Sequence, residues 1–435
     1  MRRVAVVGSG ISGLAAAWHL APEARVTLYE AGGWFGGHTN TVDVSLDGVT
    51  HGVDTGFLVL NQRTYPRLLE LLAALDVPLA PAEMSFSVQV PDLPLEWSGS
   101  HLGTVFAQRR NLLRPRFWRL LGQILRFNRL ATALALRGDD DALREPVDDF
   151  LRRHRFGDEF RDWYFLPMIG CIWSCPTDQM LRFPVATLIR FCHNHGLLQV
   201  DGRPPWYTVR GGARQYVRRM LQRIADARLA TPVRAVRRLP PGSGDGGVIV
   251  ATDHGSERYD EVVLACHSDQ SLALLADASA AERRVLGAIG YQPNRALLHT
   301  DTTLLPRRQR AWAAWNYERS SDGDREAARV CLHYLLNRLQ PLPFTTPVIV
   351  SLNPARAPAP GTVLAEFDYA HPVFDQAAID AQRQLGQIQG RAHTWYCGAW
   401  TGYGFHEDGL RSALAVVDAL RAAWAGAPPR LAQAA

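Results

Sequence analysis

The chain has 435 residues, 47% hydrophobic and 20% charged, with a net charge of +5. That length supports two domains with buried cores, and the composition is that of a globular protein rather than a coiled-coil, collagen-like or disordered chain. No apolar run is long enough to span a bilayer, no nucleic-acid-binding motif accompanies the modest positive charge, and the absence of any Lys excludes a lysine Schiff base or a lysine-held water.

The first predicted elements are a strand at Val4 to Val7, a helix from Ile11 to about Leu20, and a strand at Val26 to Tyr29 ending on Glu30. Between strand and helix, Gly8, Gly10 and Gly13 stand at G-x-G-x-x-G spacing, with Ile11 and Ser12 inside it. Gly8 permits the tight turn, Gly10 lets backbone approach a pyrophosphate, and Gly13 lets helix and strand pack closely. The helix N-terminus offers unpaired N–H groups to phosphates, and Glu30 can accept from a ribose diol.

A loop with Gly36, Gly37, His38 and Thr39 follows, then a strand and turn leading to G-V-D-T-G-F-L-V-L-N, which contains Gly56 and Phe57. Tyr65 to Leu75 has the pattern of an amphipathic helix with proline in its first turn. Ser85 to Val90 and Leu95 to Trp97 read as strands. Arg109 to Arg137 is basic, and a helix from Pro115 would put Arg116, Arg119, Arg126 and Arg129 roughly on one side, suited to an anionic membrane surface or a solvated face. Asp139 to Asp141 predicts an acidic turn. Phe160 to Pro176, dense in aromatics and sulfur, suits a pocket wall or a helical core.

The six Cys are scattered without C-x-x-C and read as reduced thiols of a cytoplasmic protein, an expectation shared by an N-terminus that enters a strand directly. Cys171 with Cys175, and His193 with His195, lack further ligands, so no metal is expected. Gly211-Gly212 opens a helix, a strand containing Val233 follows, and Asp260 to Cys266 closes that block. Strands at 296–299, 311–317, 328–335 and 348–352 suggest a second sheet, and Phe374 to Gln389 a helix. The last patterned stretch runs from Cys397-Gly398 through Trp400, Tyr403, Phe405, His406 and Glu407 to a helix opened by Asp408-Gly409-Leu410.

G-S-G-I-S-G-L, Glu30, G-G-H-T, G-V-D-T-G-F, the Val233 strand and the C-terminal loop together resemble the flavin amine oxidase and phytoene desaturase superfamily. The resemblance implies an α/β fold (α+β overall). A Rossmann-like FAD-binding domain would comprise 1–61, 206–275 and 391–425. A substrate domain would comprise a helical part, 62–205, and a sheet part, 276–390, and 426–435 would be a disordered tail. It implies non-covalent FAD held by Gly8, Gly10, Ile11, Ser12, Gly13, Glu30, Gly36, Gly37, His38, Thr39, Gly56, Phe57, Val233, Gly398, Gly409 and Leu410. His38 stands where the superfamily often has Arg. The chain looks most like bacterial FAD oxidoreductases associated with cyclopropane-fatty-acid-type methyltransferases. That implies hydride removal from a modified fatty acyl chain or other apolar substrate, with oxygen as acceptor and a functional link to such a methyltransferase. His406 and Glu407 are the expected bases and Tyr403 a shaping aromatic. A cytoplasmic protein, peripheral on the inner face of the membrane, is the matching location. The alternatives are an FAD amine oxidase, a non-catalytic flavin-binding protein and, from the glycine fingerprint alone, NAD as cofactor.

Overall fold

A computed structural model describes residues 1–138, 143–240, 246–319 and 330–426. The expected acidic turn at Asp139 to Asp141 and the expected tail beyond Gly426 lie outside the described residues.

Five strands form one parallel sheet, in the order 226–228, 25–29, 3–7, 261–264, 394–396. The Arg3–Val7 strand is buried at four of its five positions, as a strand covered on both faces must be. The helix Ile11–Leu20 packs on it with Leu14, Ala15, Ala16 and Ala17 buried, the small side chains allowing close approach. The final helix, His406–Trp424, lies in the same core through Leu410, Ala413, Val416 and Val417. Distant stretches of the chain therefore build one Rossmann-like layer. The short strand Asp226–Arg228 at its edge is not legible as a strand: its Asp and Arg side chains pair with each other.

A seven-stranded mixed sheet forms the second layer, in the order 363–373, 290–299, 349–352, 331–335, 315–318, 86–90, 95–98. All its pairings are antiparallel except Trp315–Glu318 with Phe86–Val90. The strands expected at Ser85 to Val90 and Leu95 to Trp97 are Phe86–Val90 and Leu95–Ser98, and both join this sheet. Val363–Val373 reads poorly as a strand because its side chains are mostly exposed or half-exposed and leave no alternating apolar pattern. Helices Leu166–Trp173 and Val185–Asn194 cover the apolar face of this sheet in a core that includes Phe160, Phe165, Trp173 and Phe191.

The helix expected from Pro115 runs to Arg137 and buries Phe117, Leu120, Phe127, Asn128 and Ala131. Its basic side is not wholly free. Arg126 donates to the carbonyls of His154 (2.7 Å) and Arg155 (3.1 Å), and Arg116 and Arg119 lie 3.6 and 3.7 Å from Glu159. No helix among the described residues is long and apolar enough to cross a membrane.

Candidate active site

The first turn is built of bare backbone. Gly8 has φ +99°, and its N–H donates to the Tyr29 carbonyl at 2.9 Å. A Cβ on Gly13 would stand 1.8 Å from the Gly8 carbonyl oxygen, so helix and strand meet at this distance only without one. A Cβ on Gly10, by contrast, would meet nothing within 4 Å. Gly37, at φ +58°, comes in from the other side, where its Cβ would stand 3.3 Å from the Gly10 Cα. Gly36 donates to the Ser9 carbonyl at 3.1 Å. The two glycine motifs therefore face each other, joined through the carbonyl and hydroxyl oxygens of Ser9.

Glu30 accepts from the N–H of Ser9 (3.0 Å), the Ser9 hydroxyl (2.5 Å) and the N–H of Gly32 (2.7 Å). Its carbonyl accepts from Thr231 N–H at 2.7 Å, which brings the chain leading into Val233 beside the end of the second strand. Val233 opens the strand Val233–Arg238 and is buried.

His38 follows the second glycine pair. Its ring stacks on Tyr369 at 4.8 Å and lies 5.3 and 6.4 Å from the rings of His371 and His267. Burial holds His38 well below the ordinary histidine range, with the neighbouring imidazoles adding to the effect. His371 is pushed down to about 4 by the same two causes. His38 is thus neutral, and its Nε2 is buried without a hydrogen-bond partner. A buried polar atom left unpaired costs free energy, and an oxygen of a bound cofactor is one partner that would satisfy this one. Gly56 is pressed against the same residue: its Cβ would stand 2.2 Å from the His38 carbonyl oxygen, which accepts from Phe57 N–H at 2.8 Å.

The closing loop meets the opening helix. A Cβ on Gly409 would stand 2.7 Å from Ser12 Oγ and 2.9 Å from Ile11 Cγ2, and Leu410 is buried beside them. Gly398 donates to Ser412 Oγ at 3.0 Å. His406 stacks on Phe57, ring centroids 3.7 Å apart, while its Nε2 lies 2.9 Å from Thr39 Oγ1 and 3.2 Å from Tyr216 Oη.

The two residues expected as bases lie in buried, hydrogen-bonded positions. Burial pushes His406 down to about 3, so holding a proton there is unfavourable, and its polar edge is committed to Thr39 and Tyr216. Glu407 accepts the N–H groups of Arg67 (2.9 Å) and Leu68 (3.0 Å), one on each oxygen. It caps the first turn of the helix Pro66–Ala74, whose N-terminus would otherwise be unsatisfied. Tyr403 lies against the aromatic wall, 6.1 Å from the Phe191 ring, and its carbonyl accepts from Trp173 Nε1 at 3.3 Å. Phe191 also stacks on Phe405 (5.0 Å) and His195 (3.8 Å). His195 Nδ1–H donates to the Phe191 carbonyl of its own helix at 2.9 Å, within an aromatic stack.

Residues that sequence reasoning did not single out complete the frame. Asp54, the acid of G-V-D-T-G-F, is buried and bonded to Thr41 Oγ1, to Ala213 N–H at 2.9 Å and to Gln340 Nε2 at 2.7 Å. It ties the strand Val49–Asp54 to the Gly211-Gly212 turn, and burial raises its pKa to about 7. An acid inside a glycine-rich motif was the available signal. His267, His371 and Tyr216 had none, since each is brought in from a different stretch.

The open space over Gly10, the two opposed glycine motifs and the orphaned His38 Nε2 fit a dinucleotide with a second ring system beyond it. The comparisons agree. The profile of the family described as flavin containing amine oxidoreductase matches residues 11–335. The carotenoid phi-ring synthase of Streptomyces griseus is 32% identical over 297 residues, 63% of this chain and 54% of that protein. Protoporphyrinogen oxidase 2 of Arabidopsis thaliana is 27% identical over 188 residues, 41% of this chain and 34% of that protein. The matched stretches thus span about half or less of the relatives' own lengths. A fatty acid isomerase from P. acnes superposes with TM-score 0.64 at 15% identity over 95% of this chain and 97% of that one. Cyclohexylamine oxidase from Brevibacterium oxydans gives 0.66 at 15% over 97% and 99%. Likeness at that identity speaks for the fold alone. The profile match over most of the length decides the family: the chain belongs to the flavin containing amine oxidoreductases, whose cofactor is FAD.

Proposed function

We propose that the protein removes a hydride from a C–H bond of an apolar substrate, a modified fatty acyl chain, with oxygen as the final electron acceptor. The observation that carries this reading is the wall beside the closing loop. Tyr403 and Phe405 pack with Phe191, Trp173 and His195, and the acid next in sequence, Glu407, is turned away into a helix cap. With Glu407 withdrawn, a wall of this kind suits a hydrocarbon better than an ammonium group, which would need an acidic partner. The position three before Gly409, where amine oxidases tend to place a cage aromatic, is His406, and its ring is occupied by Phe57.

In this reading Gly8, Gly10, Ile11, Ser12 and Gly13 hold the pyrophosphate and Glu30 the ribose diol, with Val233 at the adenine. Gly36, Gly37, His38 and Thr39 continue toward the ribityl chain, with His38 Nε2 donating to an oxygen of the cofactor. Gly56 and Phe57, then Gly398, Gly409 and Leu410, border the ring, and the helix from His406 turns its N-terminus toward it. Bound FAD supplies the hydride acceptor. The protein's share is to orient the C–H bond and exclude water, and the buried neutral histidines serve exclusion because none brings a charge.

The printed names of two similar proteins, a carotenoid ring synthase and a fatty acid isomerase, are in keeping with an apolar substrate. So is the surface at 102–118. There Leu102 is 76% exposed, Leu113 87% and Trp118 51%, among Arg109, Arg110, Arg114 and Arg116. The sequence has no Asp or Glu between Glu96 and Asp139. Apolar side chains inside a ring of arginines suit an anionic bilayer, from which an acyl phospholipid modified by a methyltransferase could be drawn. Mass spectrometry of lipids from cells with and without the protein tests the substrate. An acyl species that changes mass by two hydrogens only in the presence of active protein is the expected result; unchanged lipids with a consumed amine would replace this reading by amine oxidation.

A further inference from the structure

The seven-stranded sheet carries a cluster with no part in the flavin reading. Glu318 and Cys331 are paired across neighbouring antiparallel strands, and His333, two residues on, points to the same face. All three are buried. His333 Nε2 lies 3.0 Å from Glu318 Oε2 and 3.5 Å from Cys331 Sγ, and Sγ lies 3.9 Å from the same carboxylate oxygen. A tetrahedral ion with bonds of about 2.0 Å to nitrogen and oxygen and about 2.3 Å to sulfur requires ligand separations of about 3.3–3.6 Å. The three atoms need move only a few tenths of an ångström to form one face of that tetrahedron.

From this geometry we propose a binding site for one divalent transition metal ion, Zn²⁺, held by Glu318, Cys331 and His333, with a fourth position for water. The donor set is one imidazole, one thiolate and one carboxylate, the mixture that zinc accepts. Charge argues the same way, because Zn²⁺ with a thiolate and a carboxylate is neutral overall, the state a buried site tolerates. The ligand histidine also has the second partner that metal sites provide. His333 Nδ1 lies 2.6 Å from Ser351 Oγ, which lies 2.7 Å from His299 Nε2, and His299 Nδ1 accepts from Asp301 N–H at 3.1 Å. His299 Nε2–H must therefore donate to Ser351 Oγ. Without an ion, Ser351 donates to His333 Nδ1, and His333 donates from Nε2 to Glu318. With the ion, His333 carries its proton on Nδ1 instead, and Ser351 Oγ accepts from both imidazoles. Binding displaces the Cys331 thiol proton to solvent.

The site is separate from the expectation of no metal, which rested on the spacings of Cys171 with Cys175 and His193 with His195. Glu318, Cys331 and His333 become neighbours only through strand pairing. The test uses the flavoprotein as purified. Elemental analysis after dialysis against Zn²⁺ is expected to give one ion per chain, and Co²⁺ added to chelator-treated protein is expected to give a thiolate-to-cobalt charge-transfer band in the near ultraviolet. Cys331→Ser should lose that band and the stoichiometric zinc, whereas Cys175→Ser, a buried cysteine elsewhere, should keep both. If Cys331→Ser does not fold, the wild-type protein still decides. Absence of the charge-transfer band together with sub-stoichiometric zinc and an unchanged melting temperature on adding Zn²⁺ would overturn the proposal. Neither readout depends on what the flavin oxidises.

Discussion

The parallel sheet around Arg3–Val7 and the seven-stranded sheet around Gly290–His299 are built by different means. In the first, the decisive positions are those where a side chain is missing. Gly13 lies against the Gly8 carbonyl, Gly37 against Gly10, Gly56 against His38 and Gly409 against Ser12. In the second, the decisive positions are filled: Tyr317, Leu332, Tyr334 and Trp97 on the apolar face, and the Glu318–His333–Ser351–His299 chain among its strands. The first sheet is shaped by what backbone leaves open, the second by what side chains enclose. The two halves should therefore fail differently when altered.

The sharpest contrast lies within the glycine fingerprint itself. Gly13→Ala puts a Cβ 1.8 Å from a backbone oxygen that cannot step aside, so we expect a loss of about 4 kcal/mol or more, or no soluble protein at all. Gly10→Ala meets nothing within 4 Å. Its melting temperature as apoprotein should be unchanged while flavin content falls at least severalfold. Equal stability losses in the two variants, measured by calorimetry beside flavin absorbance, would break the comparison.

Next comes Asp54, which joins the layers. Asp54→Ala leaves Thr41, Ala213 and Gln340 without their acceptor and should cost about 3 kcal/mol. Because Asp54 is raised to about 7 in the folded protein from its ordinary 3.8, the native state keeps a proton between those values that the unfolded chain has released. Its contribution to stability is therefore present below about pH 4 and declines as pH rises through about 7. Asp54→Asn should flatten that decline in a pH series of denaturant midpoints. His406, lowered to about 3, has the opposite sign: its contribution declines as pH falls below the ordinary 6.5.

These residues also mark what the chain reveals before it folds. Gly8 to Glu30 is legible because its ligand contacts come from one short strand–turn–helix unit, in which each residue type has a local steric reason. The closing helix is legible for the same reason. His38, His267 and His371 are not legible as a group, since packing brings them in from separate stretches, nor are Glu318, Cys331 and His333, which strand register brings together. The surroundings of His406 and Glu407 are hidden for a similar reason. Sequence places them one cofactor length from the fingerprint, but only packing reveals that Phe57 covers one and the helix Pro66–Ala74 takes the other.

A smaller effect separates those roles. Glu407→Ala removes a cap and should cost about 1 kcal/mol, with turnover per bound flavin within about twofold of the parent. A base in its place would show a loss of about a hundredfold or more. The smallest effect on stability is expected on the surface. Leu113→Asp combined with Arg110→Glu should change the unfolding free energy by less than about 0.5 kcal/mol. Sedimentation with vesicles of anionic phospholipid should nevertheless fall severalfold, each arginine near such a surface contributing about 1 kcal/mol. Undiminished sedimentation would remove the membrane from this account.

The central claim is that this flavin oxidises an apolar acyl chain. It is tested most directly by mixing the purified yellow protein anaerobically with unsaturated or methyl-branched acyl phospholipids, and separately with a panel of primary and secondary amines. The account predicts bleaching of the flavin absorbance by an acyl phospholipid and none by the amines. Bleaching by an amine alone would contradict it.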